Sequence, residues 1–338
     1  MKLLPVKKRK IAILFTGGLG DTLLYTPLLK ELKKKQFTVT CIFYSPYEND
    51  CLFDKSLYTH KVKIKSKTGL LIFALSRVKY FINFYINHLG SGAAVNLAAA
   101  ICSKHVTKNK CVPDFSDGEE NLHLVFSTLN SRINTIESYY FPNPEINQQL
   151  IQKYFHNNTT EYFIIQISAG NNTTPFKNWP LQNWVNLITQ LCTVFPMINF
   201  IIVGDAAEVA YTKIFRELNY ANCIVLIGKT SVREVFNLTA FSNGYIGLDS
   251  GIMHMAVGLQ KKTLTIFGGS NESLYGYQIL DGKNHKVISS SLKCRPCSGW
   301  KNANTSRVSN PLDCPDFACL TTIEPSFVYQ QLTNHFNL

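Results

Sequence analysis

Short apolar runs of strand length alternate with helical segments twice along this chain of 338 residues. A run that is apolar throughout is typical of a strand buried on both faces of a parallel sheet. Helical segments between such strands predict helices on both faces. The predicted strands are Ile11–Phe15 and Val39–Tyr44, then Tyr162–Ile167, Asn199–Val203, Ile224–Ile227, Tyr245–Leu248 and Thr263–Phe267. The pattern therefore predicts an α/β chain with two Rossmann-like domains facing a central cleft, where ligands bind beyond the carboxyl ends of the strands.

The length and a proline-containing break divide the chain in two. A chain of this length exceeds one ordinary core, and Pro142-Asn143-Pro144 separates the two series. We expect an N-terminal domain over residues 1–150 and a C-terminal domain over residues 151–338. The predicted helices are one after the first strand with Leu23, Leu24, Leu28, Leu29 and Leu32 on one face, one near Gln148–Tyr154, Leu181–Phe195 and Glu208–Leu218. The apolar and aromatic segment from Leu70 to Ser103 is partly helical and cannot be assigned further.

No apolar run reaches the ~18–20 uncharged residues that a membrane-spanning helix requires. Leu70–Ile86 comes closest, but Arg77 and Lys79 interrupt it. The run Ile11–Phe15 is too short for a signal peptide and lacks a cleavage site of small residues. We interpret it as the first core strand of a cytoplasmic protein.

Positive charge is concentrated in the first half of the chain. Residues 1–150 carry 20 Lys+Arg against 11 Asp+Glu, whereas residues 151–338 carry 14 against 11. A basic half suits nucleic acid, anionic lipid or a phosphorylated substrate, or it simply keeps the surface solvated. No helix-turn-helix, RRM or zinc-finger pattern is present, so nucleic acid is not expected as a partner.

Residues 244–259 have the order strand, polar turn, apolar helix. Asp249, Ser250 and Gly251 form the turn where the helix begins, and a helix N-terminus presents unpaired N–H groups and a positive dipole end. Gly251 lets the backbone approach a ligand closely, and the Ser250 hydroxyl can donate to it. The segment predicts a phosphate or diphosphate site. Asp249 could instead fix the turn through backbone N–H groups, and His254 could be an ordinary core histidine.

Four of the ten cysteines lie close together near the C-terminus. Cys294-Arg295-Pro296-Cys297 is followed by Cys314 and Cys319, a spacing that can hold a structural zinc or iron ion. Disulfides are the alternative, but they are rare in the cytoplasm. In either case, we expect this cluster to hold the C-terminal tail in place, away from the site of the chemistry.

The glycine loop Gly17-Gly18-Leu19-Gly20-Asp21-Thr22 resembles the opening motif of the family 9 glycosyltransferases, the bacterial lipopolysaccharide heptosyltransferases. Further motifs agree in order and spacing. They are Ser168-Ala169-Gly170 with Phe176-Lys177-Asn178-Trp179-Pro180, then Val203-Gly204-Asp205 with Glu208, then the 244–259 segment, and finally the cysteine tail. The resemblance spans nearly the whole chain, although residues 60–140 match poorly.

The resemblance implies a GT-B fold and an inverting transfer with no metal at the active centre and no cofactor required for catalysis. It implies a nucleotide-sugar donor, ADP-heptose, held mainly by the second domain. It implies a lipid-linked saccharide acceptor held by the first domain at the inner-membrane surface, so the protein would be cytoplasmic and peripheral to that membrane.

The resemblance also assigns roles to residues. Asp21 matches the family's general base, and Lys177 matches the lysine that contacts the donor phosphates. The implied substrate-binding residues are Thr16, Gly18, Gly20 and Thr22 near the acceptor, and Ser168, Gly204, Glu208, Lys229, Thr230, Asp249, Ser250, Gly251, Ile252 and His254 near the donor.

Some of these residues have structural alternatives. Asp21 could cap a helix that starts at Thr22. Glu208, matched to a ribose-binding carboxylate, could be an ordinary carboxylate of the first helical turn, and Ser231 could cap the next helix. Asn178 departs from the family, whose members often carry a basic residue there.

Four lysines alternate along the sequence at Lys61, Lys63, Lys65 and Lys67. The alternation predicts that they lie along one strand face. That row would contact an acidic acceptor, or it would protect an exposed sheet edge from pairing with other strands.

Three other functions compete with this interpretation. One is the same fold acting on another nucleotide sugar, and another is a sugar-nucleotide-binding protein without catalysis, against which Asp21, Lys177 and His254 together argue. A dehydrogenase would need Gly-x-Gly-x-x-Gly after the first strand, but Leu23 stands at the third glycine position.

Overall fold

The computed structural model divides the chain into two compact units, Met1–Pro142 and Asn143–Leu338. The expected division at 150/151 and the helix expected near Gln148–Tyr154 fall outside the described residues. Those described are residues 10–16, 18–23, 26–34, 36–44, 52–86, 93–108, 144, 161–169, 174–297 and 311–338.

The first unit contains a parallel sheet of five described strands. They are β1 (Lys10–Phe15), β2 (Thr38–Phe43), β3 (His60–Lys63), β4 (Phe81–Ile86) and β5 (Ser103–Lys108), in the order β3-β2-β1-β4-β5. Residues Ile11–Phe15 are all buried, because β1 lies at the centre of the sheet with helices on both of its faces. The first two strands match the apolar runs that predicted them.

The helices described in the first unit are α1 (Leu19–Leu23), α2 (Thr26–Lys34), α3 (Lys67–Leu75) and α4 (Ala93–Cys102), with a 3₁₀ turn at Lys55–Leu57. The one helix predicted after β1 is therefore two. Leu23, Leu29 and Leu32 are buried as predicted, whereas the side chains of Leu24 and Leu28 lie outside the described part. The segment that could not be assigned contains α3, β4 and α4.

The predicted row of four lysines is correct only for its first half. Lys61 and Lys63 are exposed on β3, an edge strand of the described sheet, which is the position that an edge guard requires. Lys65 lies past the strand and Lys67 begins α3. The strand cannot continue because the Ser66 side chain caps α3 by accepting the Gly69 N–H at 3.0 Å.

The second unit contains a parallel sheet of six described strands. They are β6 (Tyr162–Gln166), β7 (Asn199–Val203), β8 (Cys223–Val225), β9 (Gly244–Leu248), β10 (Thr263–Phe267) and β11 (His285–Ser289), in the order β11-β10-β9-β6-β7-β8. All five predicted strands are present, although β8 ends two residues earlier than predicted.

The second sheet is covered by the helices α5 (Leu181–Val194), α6 (Tyr211–Glu217), α7 (Val232–Phe241), α8 (Gly251–Gly258), α9 (Glu272–Tyr275), α10 (Ala318–Thr321) and α11 (Pro325–Phe336), with 3₁₀ turns at Pro175–Lys177, Ala206–Glu208 and Pro311–Asp313. The helix predicted over Glu208–Leu218 is a 3₁₀ turn followed by α6. Ser231 caps α7 and exchanges capping bonds with Glu234, which confirms the structural alternative for Ser231.

Among the helices that the structure describes, none combines the length and the apolar character needed to cross a membrane.

Candidate functional site

The strand order of the second sheet places its switch point between β6 and β9. From β6 the chain proceeds to β7 and β8 on one side, then returns to β9 on the other side. At such a point the loops that leave two neighbouring strands diverge and open a crevice at the carboxyl edge, where ligands of these folds bind. Here the two loops carry Lys177, after β6, and Asp249, directly after β9.

Lys177 and Asp249 form an ion pair at this crevice. Lys177 Nζ lies 2.8 Å from Asp249 Oδ2, with 19% of the lysine side chain exposed against 3% for the aspartate. The lysine side chain is therefore partly accessible to a ligand, whereas the carboxylate is buried. Burial raises the pKa of Asp249, but the charges of Lys177 and His254 outweigh it, so this pKa lies below its ordinary value. Asp249 is therefore ionised at neutral pH, and its partner is a lysine side chain rather than the backbone groups of its own turn.

The 3₁₀ turn that carries Lys177 is held in place by a backbone hydrogen bond from the loop after β10. Gly269 N–H donates to the Phe176 carbonyl at 2.8 Å. A Cβ on Gly268 would lie 2.1 Å from that carbonyl oxygen, so only glycine permits this approach. The site thus depends on backbone contacts that sequence motifs do not show.

Residues that follow Lys177 anchor the turn in the core. Trp179 is buried against Trp184, and its indole N–H donates to the Ile323 carbonyl at 2.9 Å. Asn178 Oδ1 accepts the Ala169 N–H at 2.8 Å, so the residue that departs from the family pattern braces the loop after β6.

A buried polar network joins the ends of β6 and β9. The Tyr245 hydroxyl lies 2.8 Å from Gln166 Oε1 and 3.0 Å from the Leu248 carbonyl oxygen, and it accepts the Leu248 N–H at 3.1 Å. Ser250 Oγ also donates to Gln166 Oε1. A Cβ on Gly247 would lie 2.3 Å from the Tyr245 hydroxyl, so the phenol crosses the strand where glycine leaves room. The network fixes the turn that contains Asp249.

The strand, turn and helix predicted over residues 244–259 are confirmed, and α8 begins at Gly251 with Ser250 as its N-cap. The side chain of Ser250 makes no capping bond to the helix, because its hydroxyl is turned toward Gln166. Gly251 and Ile252 are partly exposed at the first turn. His254 is buried one turn further, with Nδ1 2.7 Å from the Tyr277 hydroxyl.

The other predicted donor residues lie at the same carboxyl edge. Glu208 is buried in the turn after β7, where Oε2 accepts the Asp205 N–H at 3.1 Å within a capping box. Gly204 permits this, because a Cβ there would lie 2.3 Å from Glu208 Oε2. The structural alternative for Glu208 is therefore confirmed in part: Glu208 is the carboxylate of a first helical turn, but that turn is the 3₁₀ turn at Ala206–Glu208 and precedes α6.

The loops after β7 and β8 are joined. Gly228, at φ +68°, donates its N–H to the Gly204 carbonyl at 3.0 Å. Lys229 is exposed beside it, and Thr230 Oγ1 is buried with no hydrogen-bond partner among the described groups. Ser168 is buried after β6, and its carbonyl accepts a bond from Gln166 Nε2.

The glycine loop of the first unit has its own geometry. Thr16 is partly exposed after β1, and Thr22 is buried with its hydroxyl 2.9 Å from the Gly18 carbonyl. Gly20 and Asp21 lie inside α1, so Asp21 cannot cap a helix that starts at Thr22, and that alternative is wrong. The side chain of Asp21 lies outside the described part. A Cβ on Gly18 would meet no described atom within 4 Å, so no neighbour there requires glycine.

The expectation that the cysteine tail lies away from the site is wrong. Arg295 Nε donates to the Gly268 carbonyl at 2.6 Å, and Cys297 N–H donates to the Gly269 carbonyl at 2.7 Å. The tail therefore supports the glycine pair that holds the Lys177 turn. Arg295 also forms a bidentate pair with Glu272, at 2.8 and 3.2 Å.

The four tail cysteines are free thiols that lie near one another. Burial, and to a lesser degree the three neighbouring cysteines, raise the pKa of Cys319 to about 12 although Arg295 opposes the shift. Within the described ranges, no three Cys, His, Asp or Glu side chains stand in an arrangement that could hold a metal ion. The thiols as placed do not form a coordination site.

Comparison with known proteins assigns the family. The family model described as glycosyltransferase family 9 (heptosyltransferase) matches residues 119–306, more than half of the chain. The chain belongs to glycosyltransferase family 9. Its fold is GT-B, as in the solved glycosyltransferases that it resembles.

Three relatives illustrate the similarity. Lipooligosaccharide heptosyltransferase 2 of Haemophilus influenzae is 28% identical over 111 residues. The match covers 31% of this chain and 31% of the length of that protein. The structure of ADP-heptose lps heptosyltransferase II of E. coli aligns with TM-score 0.64 at 17% identity, over 97% of this chain and 98% of that one. The iron-containing dodecameric heptosyltransferase TibC of enterotoxigenic E. coli was solved in complex with ADP-D-beta-D-heptose. It aligns with TM-score 0.56 at 15% identity, over 97% of this chain and 76% of that one.

Proposed function

We propose that this family 9 chain is an inverting heptosyltransferase that moves a heptose from ADP-heptose to a lipopolysaccharide inner-core acceptor or a related surface glycan. The observation that carries the proposal is the Lys177–Asp249 ion pair at the switch point of the second sheet, beside the first turn of α8. The partly accessible lysine and the N–H groups of the helix N-terminus together offer hydrogen-bond donors that suit a diphosphate. The relatives named for ADP-heptose support that donor.

In this proposal the donor lies along the carboxyl edge of the second sheet. Lys177 and the N–H groups of Gly251 and Ile252 bind the diphosphate, with His254 close behind them. Glu208 faces the ribose, and the Gly228–Thr230 loop lines the base pocket. This order follows the sheet, because the loops after β7 and β8 lie next to the loop after β6.

The proposed chemistry is a single displacement. Asp21 accepts the proton of the acceptor hydroxyl while that oxygen bonds to the anomeric carbon. The bond from this carbon to the diphosphate oxygen breaks on the opposite face, so the configuration inverts and ADP leaves. Lys177 stabilises the charge that develops on the leaving diphosphate. Asp249 stays ionised and holds the ammonium group in place. No step requires a metal at this centre.

The acceptor and the location belong to the same proposal. A lipid-linked inner-core saccharide carries phosphates and acidic sugars, which suits the basic first half of the chain. The enzyme would then work in the cytoplasm, peripheral to the inner membrane.

We also propose that the four-cysteine cluster binds structural zinc or iron that takes no part in any catalytic step. The spacing of Cys294, Cys297, Cys314 and Cys319 and their mutual proximity support this, as does the iron in TibC. Because the thiols as placed do not form a coordination site, loading would require them to move closer together. Elemental analysis of the purified chain beside Cys294→Ser tests this. A metal content of about one per chain that the variant loses is expected, and a metal-free wild type would refute it.

The donor is tested by thermal shift with ADP-, UDP- and GDP-sugars. A ligand stabilises the folded state in proportion to its binding, so ADP-heptose should raise the melting temperature more than the others. Preference for a UDP- or GDP-sugar would favour the competing donor.

The general base is tested with Asp21→Asn, and Asp54→Asn is the matched control. Asp54 caps a 3₁₀ turn of the same unit and has no proposed role in transfer. We expect Asp21→Asn to lower transfer by about 100-fold or more without weakening donor binding. If Asp21→Asn transferred heptose at the same rate as Asp54→Asn, Asp21 would not be the general base.

A further inference from the structure

The segment from residue 55 to residue 113 contains ten Lys+Arg and no Asp or Glu. It includes α3 and α4, which lie in the first unit and pack against each other. Both helices lie on one face of the sheet, because the connections β3 to β4 and β4 to β5 run in the same direction along it and such crossovers are right-handed.

The outward stripe of α3 is apolar. Leu70 and Ala74 are buried, whereas Ile72 and Leu75 on the opposite side are each 63% exposed. A helix with one exposed face normally carries polar or charged residues there. The sequence of α3 after its first two residues contains only apolar residues and glycine, so the exposed face is as apolar as the buried one.

The outward stripe of α4 repeats the pattern. Ala93, Leu97 and Ala100 follow one another at spacings of four and three and are exposed, with Leu97 at 53%. Val95, Ala98 and Ala99 face the sheet. We call Ile72, Leu75, Ala93, Leu97 and Ala100 the α3–α4 face.

Positive charge surrounds this face. Lys65 and Lys67 are exposed at the start of α3, Arg77 is exposed just past its end, and Lys104 is exposed just past α4. Lys79, in the loop between α3 and β4, ties that loop to the end of α4, since its ammonium donates to the carbonyls of Ala100 and Ser103, both at 2.9 Å. An apolar surface with a cationic rim, in a segment of sequence without acidic residues, complements an anionic lipid surface, which takes apolar side chains below its headgroups and attracts Lys and Arg.

We propose that the α3–α4 face docks the protein on an anionic membrane surface. The inference rests on the proposed function in one respect, because a lipid-linked acceptor brings the enzyme to that surface. Lipid binding itself is measured without transfer. A water-soluble acceptor analogue measures transfer without lipid, so the two proposals can fail separately.

The test is co-sedimentation of the full chain with vesicles of phosphatidylglycerol and phosphatidylcholine, beside vesicles of phosphatidylcholine alone. The variants are Ile72→Gln/Leu75→Gln and, for the rim, Lys65→Gln/Lys67→Gln/Arg77→Gln. The matched control is Ile279→Gln, which replaces a 74% exposed isoleucine of the second unit. Melting temperatures establish that each variant is folded.

We expect the wild type and Ile279→Gln to bind only the anionic vesicles, and less so in high salt. Each multiple variant should lose about tenfold or more in binding, since each removes apolar insertion or charge attraction. Wild-type binding by Ile72→Gln/Leu75→Gln, or no vesicle binding by the wild type, would overturn the proposal. A wild-type dimer that this variant converts to monomer would also overturn it, because a second copy would then cover the face.

Discussion

Lys177 Nζ and Asp249 Oδ2 are 2.8 Å apart although 71 positions separate the two residues in the sequence. The strands β6 and β9 bring them together, because they are neighbours in the sheet while the intervening chain forms β7 and β8. A loop residue and a turn residue thereby become one charged unit at the place where α/β folds bind ligands.

Removing one member of this pair should cost more stability than removing both. Lys177→Met leaves a buried carboxylate without its partner, so we expect the free energy of unfolding to fall by about 3 kcal/mol. Lys177→Met/Asp249→Asn leaves no buried charge and should recover part of that loss. Urea unfolding of the wild type, both single variants and the double variant measures the coupling. Additive losses would mean that the two residues do not act as a pair.

Gly268 should be as important to the Lys177 turn as the motif residues are. A Cβ at Gly268 would lie 2.1 Å from the Phe176 carbonyl oxygen, and that backbone cannot move without moving Lys177. We expect Gly268→Ala to lower stability by about 2 kcal/mol and to weaken ADP-sugar binding. Gly18→Ala, where a Cβ meets no described atom, is the stability control. Equal stability of the two variants would contradict the packing described.

Tyr245→Phe removes the hydroxyl that joins β6 to the Asp249 turn. Because the buried N–H and carbonyl groups of Leu248 would lose the hydroxyl as a partner, we expect a loss of about 2 kcal/mol together with weaker ADP-sugar binding. Tyr162→Phe is matched to it, since Tyr162 is a buried tyrosine at the opposite end of β6 whose hydroxyl donates to the Leu238 carbonyl at 2.8 Å. Tyr162→Phe should lower stability by about 1 kcal/mol and leave donor binding unchanged. Calorimetry of ADP binding to both variants separates a positioning role from packing alone.

His285 should make the protein less stable in mild acid. Burial lowers the pKa of His285 to about 4, with His335 adding to the shift and Asp281 opposing it. The unfolded chain binds a proton near pH 6.5, so between pH 6.5 and about 4 it binds more protons than the folded chain. Stability is therefore complete above pH 6.5 and declines as the pH falls through this range, by about 3 kcal/mol in total. Urea unfolding at several pH values should show this slope, and His285→Gln should flatten it. An unchanged slope in the variant would assign the effect to another group.

The strands and the position of the turn at Asp249–Gly251 could be predicted because they depend on local patterns. The runs Ile11–Phe15 and Asn199–Val203 are apolar throughout, and residues 244–259 have the order of a strand, a turn and a helix start. The resemblance to the family also identified Lys177 and Asp249, which the structure brings together.

The partners of these residues could not be predicted, because they come from distant parts of the chain. In the sequence, nothing distinguishes Tyr245 from other strand residues, and Gly268 lies in no recognised motif. A signal for Tyr245 was present in Gly247, since a glycine two positions along a strand leaves room for a neighbouring side chain on the same face. The Asp205–Glu208 capping box has a local sequence spacing, but the separate start of α6 at Tyr211 could not be predicted, because no side chain caps it.

In the proposed function, Lys177 at this switch point holds the diphosphate of ADP-heptose during transfer. The most direct measurement is the rate of ADP release from ADP-heptose in the presence of a lipopolysaccharide inner-core acceptor, for the wild type beside Lys177→Met. We predict turnover by the wild type and a kcat/KM lower by about 100-fold or more in the variant. Equal rates for the two proteins would mean that Lys177 does not hold the donor diphosphate. Turnover of UDP- or GDP-sugars but not of ADP-heptose would mean that the donor is not ADP-heptose.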